Sequence, residues 1–306
     1  MQSLWMLVAS FLFSIMGVCV KLASADYSTA EIVAYRGAIG MLMIIALIRW
    51  QGGTLLTRMP YHHLLRGGVG VISLWMWFYA ISKLPLAMAV TLNYMSPIWI
   101  AGILLGAAWL KTRRMLAWQP LAAIGMGFVG VILLLRPSIH ADQVIGGLVA
   151  LGSGMLAAWA YMQVRQMGLL GEPEYRVVFY FSMTCAIAGV LGTLFGRAVD
   201  NTAQHVSWHH LDARGLVLLL AIGLTAAAAQ MAMTRAYRLG NPLLTANLQY
   251  VGIVFSSMWD VLIWHDSLHW LSWLGIAVIL CSGLLATFYN TRTNKQALPS
   301  DAISSE

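Results

Sequence analysis

Ten apolar stretches follow one another along this chain, joined by short connections. They run over 3–22, 29–48, 64–82, 86–109, 115–135, 144–164, 175–196, 212–234, 242–264 and 270–289. A spanning helix needs about 20 apolar residues, whereas a barrel strand needs only about ten with two-residue alternation. Lipid gives the backbone no hydrogen-bond partner, so each run must close its own bonds as a helix. Composition agrees. The chain is 60% hydrophobic with a mean hydropathy of +0.75, and 306 residues carry 18 Lys or Arg and 11 Asp or Glu. So few charges cannot clothe a soluble surface, which takes roughly 25% charged residues. Disorder is excluded too, since it needs low hydrophobicity. The expected fold class is all-α integral membrane, with ten transmembrane helices.

The basic residues set the expected orientation. With the N-terminus inside, the inner side holds Arg49, Arg58, Arg66, Lys111, Arg113, Arg114, Arg165, Arg176, Arg235, Arg238, Arg292 and Lys295. The outer side holds Lys21, Lys83, Arg136, Arg197 and Arg214, and Arg36 lies within a span. Twelve against five places both termini in the cytoplasm. Trp5, Trp118, Trp264, Trp270 and Trp273 stand near run ends as interfacial anchors. Met1-Gln2-Ser3 brings no basic residue, so the first run reads as a retained helix and not a signal peptide. Cys19, Cys185 and Cys281 fall inside apolar runs and read as buried free thiols.

Short matches recur in order along both halves. Leu7-Val8-Ala9 matches Leu148-Val149-Ala150. Leu92-Asn93-Tyr94 matches Leu248-Gln249-Tyr250, Ala80 matches Ala236 at the same spacing, and Gly130 matches Gly283. The implied units are a first five-helix repeat over 1–140 and a second over 141–290. A disordered cytoplasmic tail is expected over 291–306. Five is odd, so the second repeat enters the membrane inverted, an arrangement that secondary transporters share.

Several stretches carry a family likeness: Phe13-Ser14-Ile15-Met16-Gly17-Val18-Cys19-Val20-Lys21, Glu31-Ile32-Val33-Ala34-Tyr35-Arg36-Gly37, and Phe78-Tyr79-Ala80 through Ala89. Asn93-Tyr94-Met95-Ser96-Pro97 and Gly130 through Pro137 complete the set. The chain resembles the EamA family of the drug/metabolite transporter superfamily over roughly 3–289. The resemblance implies two five-helix inverted repeats, cytoplasmic termini and transport of small metabolites. Helix 1 has no acid, unlike the small multidrug relatives, which argues against their mode of proton-coupled cation export.

Intramembrane polar residues are the candidate site. Arg36 is costly at membrane depth, and Glu31 is five residues away, a poor spacing for a same-face pair. An anion-binding role and a structural role both stand open. Asp260, near the outer end of helix 9, is the candidate for ion coupling, with an interfacial salt bridge as the other reading. The expected substrate surface comprises Arg36, Trp75, Tyr79, Asn93, Tyr94, Ser96, Gln230, Asn247 and Tyr250. Gly125-Met126-Gly127-Phe128-Val129-Gly130 matches a dinucleotide fingerprint but lies inside a helix, so close packing is the better account. Gly102/Gly106 and Gly192/Gly196 also read as packing surfaces, and His62-His63 and His209-His210 as solvated loop residues.

The resulting expectation is a secondary transporter, not an enzyme. It moves a neutral, zwitterionic or anionic metabolite such as an amino acid, nucleoside-like compound or organic acid by alternating access. A proton-coupled multidrug exporter is the alternative, followed by an intramembrane enzyme or a channel. The expected setting is a cell inner membrane. Expected partners are the bilayer, a small-molecule substrate and a coupling proton or counter-substrate, with no nucleic acid, no metal and no cofactor, in a monomer or homodimer.

Overall fold

The computed structural model describes residues 2–84, 86–112, 118–135, 144–199, 208–265 and 270–296. Among these it is all-helical, without a strand. After a short 3-10 turn, α1 spans Trp5–Ala23, α2 Thr29–Gln51 and α3 Pro60–Lys83. Then come α4 Leu86–Asn93, α5 Ser96–Thr112 and α6 Trp118–Leu135. The second half holds α7 Val144–Leu169, α8 Glu174–Val199, α9 Ala213–Leu239, α10 Pro242–Gln249, α11 Val251–Trp264 and α12 Trp270–Gln296. Among the described residues six helices are long and apolar enough to cross a membrane: Gln2–Ala23, Thr29–Gln51, Pro60–Lys83, Val144–Leu169, Glu174–Leu194 and Ala213–Leu239. Leu42, Leu148 and Val217 are more than 60% exposed, an apolar exterior suited to lipid.

Local sequence explains the helix ends. Ser28 caps α2 by accepting from Glu31 N, while the Glu31 carboxylate accepts from Ser28 N at 2.8 Å. Pro60 opens α3, where its missing N–H costs nothing, so this helix starts four residues before the expected position 64. Lys21 closes α3 from outside, donating to the Ile81 and Leu84 carbonyls at 2.8 and 2.7 Å. The last helix continues through Gln296, so 291–296 is helical where a disordered tail is expected; 297–306 lie outside the described residues, as do Arg113, Arg114 and Arg136.

Two expected spans are each interrupted. The run 86–109 breaks at Tyr94-Met95, and 242–264 breaks at Tyr250. Pro97 explains the first break. It has no N–H to give the Asn93 carbonyl four residues back. That carbonyl turns instead toward α7, where Gly154 lets it approach so closely that a Cβ would stand 2.5 Å away. The second break has no proline. Its turn is tightened by bonds three residues long, Tyr250 N to Asn247 O at 3.2 Å and Ile253 N to Tyr250 O at 3.0 Å. The Tyr94 ring packs on Gly252, so the two breaks meet.

Glycines set the closest helix approaches. The α2·α8 pair is the tightest: Gly37 lies on the Ala186 backbone and Gly189 on the Ala34 backbone. α6 packs on α12 through Gly130 against Gly275 and Ile279. Gly127 takes the Tyr250 ring, so two glycines of the fingerprint-like stretch serve packing. Among the described residues Gly102 and Gly106 meet nothing within 4 Å, which corrects their reading as a packing surface. Cys281 is exposed, not buried. Further pairings are α1 with α9 and α3 with α7.

The backbone contact at Gly37 is intolerant of any side chain. Gly37→Leu is expected to abolish a cooperative thermal melt in detergent. Gly102→Leu, in open space, should leave the midpoint within the range of neutral surface changes, about 0.5 kcal/mol in stability.

Candidate functional site

A cavity with about 520 Å³ of empty space, its open mouth included, lies among the helices. Both halves of the chain line it: α1 through Phe13 and Met16, α2 through Arg36, and α3 through a stripe of Arg66, Gly70, Ser73, Leu74 and Trp77. Asn93 and Tyr94 come from the first helix break, Tyr161 from α7, Phe181 from α8 and Gln230 from α9.

Two arginines dominate it. Arg36 and Arg66 are 3% and 2% exposed. Packing of α2 on α8 brings Arg36 Nη1 to 3.3 Å from Cys185 Sγ, a weak acceptor. Both guanidinium carbons lie over the Phe181 ring, at 5.1 Å for Arg36 and 4.1 Å for Arg66, so they stand within about 9 Å of each other. Gly70 makes the room: a Cβ there would collide with Arg66 Nη1. Arg36 Nε, Arg66 Nε and Arg66 Nη1 are buried without a partner. Among the described residues neither arginine has a carboxylate within ion-pair distance. A central Arg costs about 2.5–3.5 kcal/mol on the insertion scale, and a desolvated cation–π contact returns about 2. The described residues leave these donors unmet.

The other polar groups divide into bound and available. Asn93 Nδ2 donates to Ser153 Oγ at 2.7 Å, and Ser73 Oγ donates to the Ser153 carbonyl at 2.8 Å, tying the first break and α3 to α7. Tyr161 stacks on Tyr237, with centroids 5.3 Å apart and planes inclined by 20°. The Gln230 amide has no hydrogen bond to the described residues and faces the cavity.

The structure thus gathers Arg36, Asn93, Tyr94 and Gln230 of the expected surface. Other expected members lie elsewhere. Trp75 packs on Gly192 of α8, and Tyr79 is 40% exposed on the outer surface. Ser96 Oγ donates to Gln249 Oε1 at 3.3 Å, and Asn247 Oδ1 accepts from Ser282 Oγ at 3.2 Å. Tyr250 packs on Gly127. Asp260 lies one turn from the end of α11 and acts electrostatically on Lys21. Sequence reasoning missed Arg66, Ser73, Trp77, Tyr161 and Phe181. The signal for α3 was present: Pro60 marks an earlier start, and Arg66, Gly70, Ser73 and Trp77 then share a face by i, i+4, i+7, i+11 spacing. Arg66 is therefore a buried residue of the bundle and not a surface charge.

Acidic residues are occupied at the bundle's ends. Glu31 accepts from His209 N at 2.8 Å, with the His209 ring 3.2 Å away, so it is no partner for Arg36. Glu174 pairs with Arg238 at 2.9 Å. At the end opposite Glu31, Glu172 lies 2.9 Å from His63 Nε2 and 3.5 Å from Arg176 Nη1, while Arg176 Nε donates to Thr54 O. His63 is buried and His209 is engaged, which corrects their reading as solvated loop residues. Burial alone would raise the Glu172 carboxyl. Hydrogen bonds from His63 and Thr57, with the charges of His63 and Arg176, outweigh it and hold the group below the usual carboxylate range. Among the described residues no group of His, Cys, Asp or Glu could hold a metal ion.

Long apolar helices around a cavity that holds two buried arginines are compatible with a membrane transport protein. A family model described as the EamA-like transporter family matches residues 1–136. The pseudopaline exporter CntI of Pseudomonas aeruginosa is 34% identical over 285 residues, covering 92% of this chain and 94% of that protein. The riboflavin transporter of Vibrio cholerae is 25% identical, covering 96% of this chain and 95% of its own. A crystal structure that is 19% identical superposes with a TM-score of 0.76, covering 94% of this chain and 98% of its own, and shows the same fold. The chain belongs to the EamA-like transporter family. It is an integral membrane transporter for a small molecule, not an enzyme.

The Glu172 cluster joins the connection after α2 to the turn between α7 and α8. A carboxyl held low in the folded state stabilises above its unfolded value of about 4.3 and loses that contribution as pH falls through the folded value. Acidification from about pH 6 to below about pH 4 should therefore lower the melting midpoint, and Glu172→Gln should flatten that slope.

Proposed function

We propose that the chain is a ten-span secondary transporter built of two inverted five-helix repeats. It carries a neutral, zwitterionic or anionic organic solute by alternating access. Counting each broken pair, α4/α5 and α10/α11, as one span gives ten, because α4, α10 and α11 are too short to cross alone. Helix pairing supports two equivalent halves. If α1–α6 and α7–α12 are equivalent sets, α1 on α9 is the counterpart of α7 on α3, and α2·α8 and α6·α12 are their own counterparts. The breaks at Tyr94 and Tyr250 also correspond, and discontinuous helices near a repeat interface mark transporter binding sites.

The observation that carries the substrate reading is the cavity itself. Both halves line it, and it presents two unpaired guanidinium groups and no carboxylate among the described residues. That field opposes a permanent organic cation. With Arg66 buried, the basic count is eleven inside against five outside, which still supports cytoplasmic termini. The two bacterial relatives support a cell inner membrane. One chain supplies every described residue lining the cavity, which supports a one-chain transport unit in either a monomer or a homodimer.

Proteoliposomes should show saturable uptake with counterflow of amino acids, nucleosides or organic acids, and no preference for choline. Choline preference would overturn the polarity reading. Arg36→Lys should melt like the wild type yet transport at least about tenfold more slowly, since Lys lacks the planar fork.

Asp260 is the coupling candidate, with the Lys21 interaction as its structural competitor. If it carries the coupling proton, Asp260→Asn abolishes the pH dependence of uptake while counterflow persists. An unchanged pH profile assigns it to the salt bridge.

A further inference from the structure

We infer that Arg36 and Arg66 form a carboxylate-binding subsite, so that the transported solute bears at least one organic carboxylate. This rests on the transporter reading and narrows its substrate class. Arg66 is the decisive member. Its Nε and Nη1 are buried without a partner, and its guanidinium borders the cavity 4.1 Å from the Phe181 centroid. Arg36 reaches the same ring from α2 with its own Nε open. The two cations repel each other across this short gap. No acid among the described residues relieves them, since Glu31, Glu172 and Glu174 are engaged at the bundle's ends.

An arginine fork matches a carboxylate in geometry and charge, and such pairs are frequently bidentate. The Phe181 ring lies against both guanidiniums and covers one side of them. The rest of the lining indicates an organic body attached to the anion. Trp77, Phe13 and Tyr94 offer apolar and aromatic surface, and the Gln230 amide offers one open polar contact. Inorganic phosphate would meet the same forks but leave those surfaces unused. Gly70 belongs to the subsite because a side chain there would displace the Arg66 head.

The test uses purified full-length protein in detergent, with ligand affinity read from the shift in thermal midpoint. The probes are succinate, citrate, L-glutamate, succinamide, inorganic phosphate and phosphatidylglycerol micelles. At least one carboxylate should stabilise saturably while succinamide does not. Arg66→Gln, Arg36→Gln and Gly70→Ala should each weaken that carboxylate by about tenfold or more, the range expected for a lost charged hydrogen bond. Stabilisation by phosphate or phosphatidylglycerol alone would overturn the subsite. So would equal effects of succinate and succinamide, or no carboxylate effect at all. The wild-type comparison of succinate with succinamide stands even if a variant fails to fold. Flux of neutral solutes without carboxylate binding would overturn the subsite and leave the transporter reading intact. Carboxylate binding without any flux would do the reverse.

Discussion

Hydrocarbon supplies neither hydrogen-bond partners nor charge screening, so every polar group at membrane depth must find its partner within the protein. Each run closes its own ladder as a helix, and the ladder opens only where another part of the chain answers. At the first break the freed Asn93 carbonyl meets the Gly154 backbone, and the Asn93 amide meets Ser153. Both breaks lie inside the bundle, where Tyr94 from one packs on Gly252 of the other. The same constraint isolates Arg36 and Arg66. They are the intramembrane charges whose needs the described residues leave incompletely met, and they face the space where a solute would sit.

Close helix approach turns this constraint into a site. Gly37 and Gly189 let α2 and α8 touch at the backbone, which brings Arg36 to Cys185 and Phe181. Gly70 then lets Arg66 reach that ring from α3. Polar clusters also tie the ends of the bundle. Glu172 with His63 and Arg176, and Glu31 with His209, join connections from opposite halves of the chain at opposite ends of the bundle.

Much of the fold was legible because its signals are local. Apolar run length marks where the helices form, and two of the ten runs are each broken into two helices. Pro97 announced a kink, and Pro60 announced an earlier start to α3 than hydropathy alone suggests. The break at Tyr250 had no such marker, because packing rather than proline makes it. For the site, Arg36 stood out as a charge in an apolar run. Arg66 did not, because it lies near a run's edge and resembles an interfacial residue until its direction is known.

The sequence by itself determined an all-helical membrane protein and the likeness to a transporter family, since periodicity, hydropathy and short motifs depend only on neighbours along the chain. Tertiary structure decided which polar residues meet. Trp75 and Asn247 had the right chemistry but lie outside the cavity lining, against Gly192 and Ser282, while Arg66, Tyr161 and Phe181 join Arg36 from separate helices. Which face of a helix turns inward depends on glycine contacts made more than a hundred residues away, and no local pattern carries that information.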